Sequence, residues 1–330
     1  MVFVMGSLGN ILYISHVDIE RLNISIAEII DAVEEAFREK ARGNVEMPPK
    51  PGIHPRKDSF IHAMPAYLSK MKLAGVKWVS GFPENPKRGL PYISGLLVLN
   101  DVETGFPTCV MDCTWITAKR TGAATAVAAK YLAREGSKTF GILGCGVQGR
   151  SNLEALIAVC KDLEVVKAYD VNTENLSKYV EEMTTKHEVK VVPVDSPKRA
   201  VENCDIVVTA GPILKNPKPV IEASWFKDGS FACPLDFDSY WKPEAMYSMD
   251  KFCTDDIEQL KYYRQQGYFR DIPEVYAELS EIISGKTHGR ENSRERIMSM
   301  NLGLAIEDMA TAKLIYEKAK KTGVGTKLPL

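Results

Sequence analysis

The pattern of hydrophobic and polar positions changes about one third of the way along this chain. In the first third, apolar stretches that alternate with polar positions are separated by short turns, which predicts strands in an antiparallel or mixed sheet. The predicted strands are Ile11 to Ile14, Ser59 to Met64, Leu73 to Ser80, Tyr92 to Asn100 and Pro107 to Asp112. Between the first two lies an amphipathic helix, Ser25 to Arg42, which Gly43 ends.

After a long alanine-rich helix, Trp115 to Arg134, short apolar runs alternate with helical patterns. The runs that predict buried strands are 139–143, 165–169, 188–194, 206–209, 230–233 and 251–254. The predicted helices are 147–160, 174–186, 196–203, those after Lys242 and Asp256, 273–284 and the last one, 302–321. Such strict alternation predicts an α/β fold with a doubly wound parallel sheet of the Rossmann type.

A glycine-rich turn follows the first of these strands. Gly144, Gly146 and Gly149 have G-x-G-x-x-G spacing and lead directly into a helix, whose free N–H groups attract a phosphate. The next strand ends at Asp170, which can accept a hydrogen bond from a ribose 2′-hydroxyl but would repel a 2′-phosphate, so we predict NAD rather than NADP. The predicted cofactor-binding residues are Gly144, Gly146, Val147, Gln148, Gly149, Asp170, Thr209 and Ala210.

These patterns predict two domains. Residues 1–115, to which 302–330 return, form an α+β substrate-binding and dimerisation domain with a mixed sheet. Residues 116–301 form the NAD-binding Rossmann domain. The length of 330 residues is sufficient for two hydrophobic cores.

Composition and charge exclude several classes of partner. The net charge of -1 argues against nucleic acid or an acidic membrane surface as the main partner, and no apolar run approaches the ~20 residues that span a bilayer. Because Val2 to Leu12 lacks a basic leader and a small-residue cleavage site, we expect a cytoplasmic protein. The seven cysteines form no C-x-x-C pair, so we expect reduced, mostly buried thiols and no metal site.

Several further motifs occur along the whole chain. They are Met47-Pro48-Pro49-Lys50, Met64-Pro65-Ala66, Gly75-Val76-Lys77-Trp78-Val79, Pro83-Glu84-Asn85-Pro86, Glu103-Thr104-Gly105-Phe106-Pro107, Thr117-Ala118-Lys119-Arg120-Thr121-Gly122-Ala123 and Gly303-Leu304-Ala305-Ile306-Glu307-Asp308. With them the chain resembles the ornithine cyclodeaminase and mu-crystallin family, which includes archaeal alanine dehydrogenase and ketimine reductases. The resemblance implies that Lys77 and Arg120 contact the substrate at the nicotinamide, that Lys50 helps hold its carboxylate, and that the protein is a homodimer joined through its N-terminal sheets.

The sequence departs from this family at two places. Members that deaminate amino acids carry an acid in an Asp-x-Pro-Gly-Lys loop, and the position that we align with this acid is Ala232. The usual Phe-Asp-Ser-Thr-Gly entry to the last helix is replaced by 299–303, where Asn301 is a candidate substrate-binding residue between Met300 and Leu302. We expect these two apolar residues to line the pocket and to disfavour a cationic substrate such as ornithine.

Each candidate residue also has a purely structural interpretation. Arg120 can bind a carboxylate through its planar fork, and a desolvated Lys77 can transfer a proton near neutral pH, although a strand lysine usually lies on a solvated face. His62 is a candidate substrate-binding residue or a hydrogen-bonded strand histidine. Asp236 either replaces the missing acid as a catalytic residue or, with Asp238, caps the helix after Lys242.

The resulting hypothesis is an NAD(H)-dependent reductase of 2-imino acids such as pyrroline-2-carboxylate, or an L-amino acid dehydrogenase in the reverse direction. It needs a carboxylate anchor, a proton donor and a nicotinamide held against C2. Two alternatives stay open: an ornithine cyclodeaminase, and a non-catalytic nucleotide-binding protein of the mu-crystallin kind.

Overall fold

The computed structural model describes residues 9–330. Most of the stretch Val2 to Leu12, which we considered as a possible leader, therefore lies outside the described residues. The chain divides into two compact units. Unit 1 comprises the chain up to Arg120 together with Ala305–Leu330, and unit 2 is Thr121–Leu304. The two boundaries lie a few residues after those expected from the sequence.

Unit 1 contains a mixed sheet in which β1 (Asn10–Ile14) pairs in parallel with β7 (Pro107–Asp112) and the other neighbours are antiparallel. Its strands are β1 (Asn10–Ile14), β2 (Val45–Glu46), β3 (Gly52–Ile53), β4 (Phe60–Leu68), β5 (Leu73–Gly81), β6 (Ile93–Asn100), β7 (Pro107–Asp112) and β16 (Thr326–Pro329). The order is β16-β1-β7-β6-β5-β4-β2, and β3 pairs with β4. The mixed sheet predicted from the sequence is confirmed.

One long helix packs against the strands of this sheet, and a second long helix packs against the first. The helices of unit 1 are α1 (His16–Arg21), α2 (Ile26–Ala41) and α10 (Ala305–Thr322), with a 3-10 turn at Asn85–Arg88, and α3 (Thr114–Leu132) leads from unit 1 into unit 2. A capping box between Ser25 and Glu28 starts α2. Helix α10 packs against α2 and strands β4, β5 and β6, so its side chains lie in the centre of the unit.

Unit 2 contains an all-parallel sheet. Its strands are β8 (Thr139–Leu143), β9 (Val165–Tyr169), β10 (Lys190–Pro193), β11 (Ile206–Thr209), β12 (Phe231–Pro234), β13 (Lys251–Thr254), β14 (Ala277–Glu278) and β15 (Ile297–Met300). Their order in the sheet is β10-β9-β8-β11-β12-β15-β13-β14. Its further helices are α4 (Val147–Val159), α5 (Thr173–Lys186), α6 (Pro197–Val201), α7 (Pro243–Tyr247), α8 (Ile257–Gln265) and α9 (Leu279–Ile283), with a 3-10 turn at Ala223–Trp225. The doubly wound Rossmann-type sheet is confirmed.

The sequence-based elements were wrong at one end of this sheet. The helix predicted over 273–284 is the short strand β14 followed by α9, because residues 277 and 278 pair with the end of β13. Strand β15, which lies between β12 and β13, was not predicted. The last helix starts at Ala305 rather than at residue 302, since Gly303 takes a left-handed φ of 80°.

All seven cysteines are free thiols, and all except the half-buried Cys160 are buried. Within residues 9–330, no helix has both the length and the apolar character required to cross a bilayer. Among the same residues, no group of three or more His, Cys, Asp or Glu side chains is arranged to hold a metal ion.

Candidate functional site

The geometry of the glycine-rich turn in unit 2 gives a separate structural reason for each of its three glycines. Gly144 has a φ of 103°, and a Cβ there would lie 2.6 Å from the Ala210 carbonyl oxygen. A Cβ at Gly149 would lie 2.4 Å from the Gly144 carbonyl oxygen, so this glycine lets α4 approach the turn. At Gly146, the N-cap of α4, a Cβ would meet nothing within 4 Å. The space in front of Gly146 therefore fits a pyrophosphate that approaches the backbone.

The other predicted cofactor residues surround this turn. Asp170 accepts hydrogen bonds from the backbone N–H groups of Cys145 and Asn172, each at 2.8 Å, which fixes its carboxylate beside the turn. Thr209 ends β11, and the N–H of Ala210 donates to the Leu143 carbonyl at 2.8 Å. Val147 and Gln148 lie in the first turn of α4. The structure therefore brings the predicted set together at the carboxyl edge of the sheet, where dinucleotides bind such folds.

Unit 1 contains a buried cluster of four charged side chains, Lys77, Arg120, Glu307 and Asp308, which we call the charge cluster. Lys77 on β5 is completely buried, and its Nζ donates to Asp308 Oδ1 at 2.7 Å and to Thr117 Oγ1 at 3.4 Å. Arg120 on α3 donates from Nη1 to Glu307 Oε2 at 2.7 Å, and its Nε lies 3.0 Å from Asp308 Oδ1. Two cations and two anions thus meet in the interior, which gives a cluster without net charge.

The electrostatic environment makes Lys77 a weaker base than an exposed lysine. Burial is the main cause that lowers its pKa, and the adjacent Arg120 guanidinium lowers it further, whereas the Asp308 carboxylate raises it. A lysine in this environment can give up a proton closer to neutral pH than a solvated one can. The interpretation of Lys77 as a solvated strand residue is therefore wrong, because the odd-numbered positions of β5 face α10.

Lys50 and His62 lie on the same side of unit 1. Lys50 follows the prolines in an extended segment and is only 7 % exposed. His62 on β4 stacks on the Phe60 ring at 4.3 Å between centroids, and Gly52 allows β3 to approach it, since a Cβ there would lie within 2.1 Å of the imidazole. Burial, and then the charges of Lys50, His54 and Lys77, lower the pKa of His62 to about 3. The imidazole is therefore neutral at physiological pH and is unsuited to act as an acid.

Asp236 lies just past the carboxyl end of β12 in unit 2 and is fully buried. It accepts hydrogen bonds from the Thr209 hydroxyl at 2.6 Å and from the Gly211 N–H at 2.8 Å. Burial raises its pKa to about 7, although both hydrogen bonds act in the opposite direction. The Trp241 Nε1–H donates to the Thr209 oxygen at 2.9 Å, so the Thr209 proton is directed towards Asp236.

Two expectations about this loop need correction. Neither Asp236 nor Asp238 caps α7, whose N-cap is Lys242 without a side-chain hydrogen bond; Asp238 instead accepts from the Phe269 N–H at 3.1 Å. Ala232 lies inside β12, paired with Val207 and Met298. A residue at this interior position cannot present an acid at the carboxyl edge of the sheet, where Asp236 lies, so position 232 does not fit the role of the family acid that we aligned with it, and Asp236 stays the candidate.

The segment that follows β15 also differs from expectation. Met300 and Leu302 are part of the hydrophobic core of unit 2, which accounts for their apolar character without a role in substrate binding. Asn301 is 4 % exposed and accepts from the Ser299 hydroxyl at 2.7 Å. Within the described residues, its Nδ2 has no hydrogen-bond partner. Asn301 belongs to unit 2, whereas the other predicted substrate residues, Lys50, His62, Lys77 and Arg120, belong to unit 1.

Sequence reasoning did not assign roles to Glu307, Asp308 and Thr117, although it quoted all three in motifs. The useful signal was the position of the two acids in a stretch of α10 that is otherwise apolar, Ala305-Ile306 before them and Met309-Ala310 after them. Buried carboxylates require cationic or hydrogen-bonding partners, so this pair pointed to cations elsewhere in the unit.

The chain combines two units. One is a doubly wound parallel unit with a glycine-rich turn, which is typical of Rossmann-type proteins, and the other is a mixed-sheet unit that buries a lysine–arginine cluster. The chain belongs to the ornithine cyclodeaminase/mu-crystallin family, whose model matches residues 11–323. The resemblance drawn from the motifs is thereby confirmed.

Individual relatives cover nearly the whole chain. The alanine dehydrogenase of Archaeoglobus fulgidus is 40% identical over 327 residues, which are 96% of this chain and 98% of the relative. The structure of Thermococcus litoralis Δ1-pyrroline-2-carboxylate reductase in complex with NADH and L-proline is 38% identical, covers 96% of this chain and 100% of its own, and superposes with a TM-score of 0.88. An archaeal alanine dehydrogenase dimer with bound NAD is 37% identical, with coverages of 97% and 99% and a TM-score of 0.85.

Proposed function

We propose that this protein is an NAD(H)-dependent oxidoreductase that reduces 2-imino acids to amino acids and, in reverse, oxidises L-amino acids. The observation that carries the proposal is the charge cluster, in which a completely buried lysine lies beside a buried arginine. Relatives similar over the whole chain are an alanine dehydrogenase and a pyrroline-2-carboxylate reductase, enzymes of this reaction class.

Arg120 and Lys50 hold the substrate carboxylate. The guanidinium stays charged at every accessible pH and offers its donors in a planar fork that matches a carboxylate. Glu307 and Asp308 fix the orientation of this fork through Nη1 and Nε. Lys50 adds a second buried cation in the same unit, and the neutral His62 adds polar contacts without repelling a cationic nitrogen.

Lys77 exchanges the proton of the substrate nitrogen. In the reducing direction an Nζ–H bond breaks as the N–H bond of the amine forms, and Lys77 becomes neutral. In the oxidising direction the neutral Lys77 accepts this proton. Because burial lowers the pKa of Lys77, both protonation states are closer in free energy than in a solvated lysine, as a general acid and base requires.

Asp236 is a second candidate for proton transfer. With a pKa of about 7, its carboxyl group can be protonated or ionised near physiological pH. The Thr209 hydroxyl and the Gly211 N–H hold it in a fixed orientation. In the oxidising direction, ionised Asp236 could act as the base that deaminating family members use. Ornithine cyclodeaminase activity therefore has to be tested directly.

The residues that would hold the cofactor are those at the carboxyl edge of unit 2: Gly144, Gly146, Val147, Gln148, Gly149, Asp170, Thr209 and Ala210. When bound, the nicotinamide supplies the hydride. The open space at Gly146 fits the pyrophosphate, and the Asp170 carboxylate fits a ribose with a free 2′-hydroxyl, so the cofactor is NAD rather than NADP. The structures of two similar proteins contain NADH or NAD.

The protein forms a homodimer through the outer face of the unit 1 sheet. On this face Trp78 and Leu96 are cross-strand partners, 50% and 47% exposed, and Tyr67 is 38% exposed. Adjacent exposed apolar side chains of this size are typical of a protein–protein interface. A similar archaeal alanine dehydrogenase is a dimer.

The test is a comparison of substrates with the purified protein. NADH oxidation is measured with pyrroline-2-carboxylate, piperideine-2-carboxylate, and pyruvate with ammonia or methylamine; NAD-dependent ammonia release is measured with ornithine. We expect reduction of at least one imine and little release from ornithine. Rapid proline formation from ornithine without imine reduction would identify a cyclodeaminase. NADH binding without turnover of any substrate would identify a nucleotide-binding protein.

A further inference from the structure

Glu307 and Asp308 are adjacent, completely buried carboxylates in the first turn of α10. Glu307 contacts Arg120 at Nη1, 2.7 Å away, whereas Asp308 Oδ1 contacts Lys77 Nζ at 2.7 Å and lies 3.0 Å from Arg120 Nε. We propose that Asp308 is a positioning residue that keeps Lys77 protonated and that Glu307 is a positioning residue that orients Arg120. The steps that these residues serve, proton transfer and carboxylate binding, rest on the proposed function.

Because the four side chains of the charge cluster are buried, their charges have to be balanced by one another. An ammonium group buried without a counter-charge releases its proton, because burial disfavours the charged form. Arg120 cannot respond in this way, since a guanidinium stays protonated in proteins. Loss of the Asp308 charge therefore leaves release of the Lys77 proton as the available response. Loss of the Glu307 charge mainly removes the contact that holds one edge of the guanidinium.

The groups that face Lys77 come from several elements, and most of them keep their charge between pH 5 and 10. Arg120 on α3 stays positive, burial raises the pKa of the Cys113 thiol to about 12, and the pKa of His62 on β4 is about 3. Thr117 contributes a neutral hydroxyl. Asp308 and Glu307 supply the anionic partners from α10. A pH effect in this range that depends on Asp308 therefore reports on the proton of Lys77.

The first measurement is the pH profile of imine reduction by Asp308→Asn and Glu307→Gln, two matched neutral substitutions at neighbouring buried positions. Reduction requires protonated Lys77, so the rate falls as the pH rises through the Lys77 pKa. We expect Asp308→Asn to move this alkaline limb of kcat/KM to lower pH by about one unit or more. We expect Glu307→Gln to raise KM about tenfold and to move the limb less than half as far.

A second measurement does not depend on turnover. Lys77 has a lower pKa in the folded than in the unfolded protein, so folding stability rises with pH between the two values. In Asp308→Asn, the pH range over which stability rises with pH begins at a lower pH. The amount by which the Tm of this variant lies below that of wild type therefore shrinks as the pH rises from 6 to 9. The Tm loss of Glu307→Gln changes less over this range, because its main partner Arg120 does not titrate.

These outcomes separate the two proposals. Imine reduction with an unmoved alkaline limb in Asp308→Asn, or equal limb shifts in both variants, overturns the division of roles and leaves the proposed function intact. If wild type reduces no imine, the proposed function fails, and the Tm measurements alone decide the inference. If Asp308→Asn does not fold, Asp308→Glu replaces it. This variant keeps the charge, so its limb should lie within about half a unit of wild type, and a shift as large as one unit contradicts the inference.

Discussion

Asp308 in unit 1 and Asp236 in unit 2 are both completely buried carboxylates, and the two have different partners. In unit 1, Asp308 accepts from Lys77 and lies against Arg120, so its charge is balanced by cations. In unit 2, Asp236 accepts from a hydroxyl and a backbone N–H, both neutral, and burial raises its pKa to about 7. Cationic partners favour the ionised form of a buried acid, whereas burial beside neutral donors favours its protonated form.

Lys77→Met removes the cationic partner of Asp308 in unit 1 and should have the largest effect on activity of the substitutions considered. The substitution keeps the length of the side chain but removes the proton donor and the cation that balances Asp308. We expect imine reduction to fall by on the order of a hundredfold or more, with NADH binding nearly unchanged, because a positioned acid typically contributes this much. Steady-state rates and NADH fluorescence titration measure the two quantities. Activity within about threefold of wild type, only ~0.6 kcal/mol of barrier, would show that Lys77 is not the proton donor.

Asp236→Asn tests whether burial beside neutral donors raises the pKa of Asp236 in unit 2. The folded pKa of about 7 lies above the unfolded value of 3.8, so the stability that the protonated group contributes is present at low pH and is lost as the pH rises towards 7. The neutral variant lacks this dependence. We expect wild type to lose up to about 4 kcal/mol relative to the variant between pH 4 and pH 8, measured by urea unfolding. A pH-independent difference would mean that Asp236 is ionised throughout.

Gly146→Ala and Gly149→Ala separate cofactor binding from folding within unit 2. A Cβ at position 146 meets nothing within 4 Å, so Gly146→Ala should fold normally but occupy the space of the pyrophosphate. We expect its NADH affinity to fall about tenfold, or ~1.4 kcal/mol. The Cβ at 149 lies 2.4 Å from a backbone oxygen, so Gly149→Ala should lower Tm as well. Equal Tm losses in the two variants would contradict this assignment.

Asp170→Ser should have the smallest effect and concerns only cofactor choice in unit 2. The serine still accepts a hydrogen bond but no longer repels a 2′-phosphate. We expect the ratio of NADH to NADPH affinity to narrow several-fold, with NADH still preferred, since no cation is introduced. Titration of both cofactors measures this ratio. Tighter binding of NADPH to the wild-type protein would show that Asp170 does not contact the ribose.

The strands of unit 2 were predictable where each is a continuous apolar run, as in Thr139–Leu143 and Ile206–Thr209, because strands buried on both faces carry this signal locally. Strand Ile297–Met300 was missed since its place between β12 and β13 depends on partners distant in sequence. The helix predicted over 273–284 was wrong for the same reason, because strand pairing of residues 277 and 278 with β13 depends on contacts that the local pattern does not contain.

The candidate site was predictable to the extent that motifs carry it. The glycine positions and Asp170 follow from spacing, and Lys77 and Arg120 followed from the family resemblance. The pairing of Lys77 with Asp308 joins residues that are 231 positions apart, and no local pattern contains it. The position of Asp236 at the end of β12 required the strand register, which placed Ala232 in the interior.

The proposed hydride transfer from NADH to C2 of the imine is tested most directly by following the transferred hydrogen. NADH labelled with deuterium at C4, on one face or the other, is incubated with pyrroline-2-carboxylate and the wild-type protein, and the amino acid product is analysed by mass spectrometry and NMR. We expect one deuterium at C2 of proline from one of the two labelled forms, and at least a hundredfold less product with Lys77→Met under the same conditions. NADH oxidation that leaves no deuterium at C2, or the absence of product with every imine tried, would contradict it.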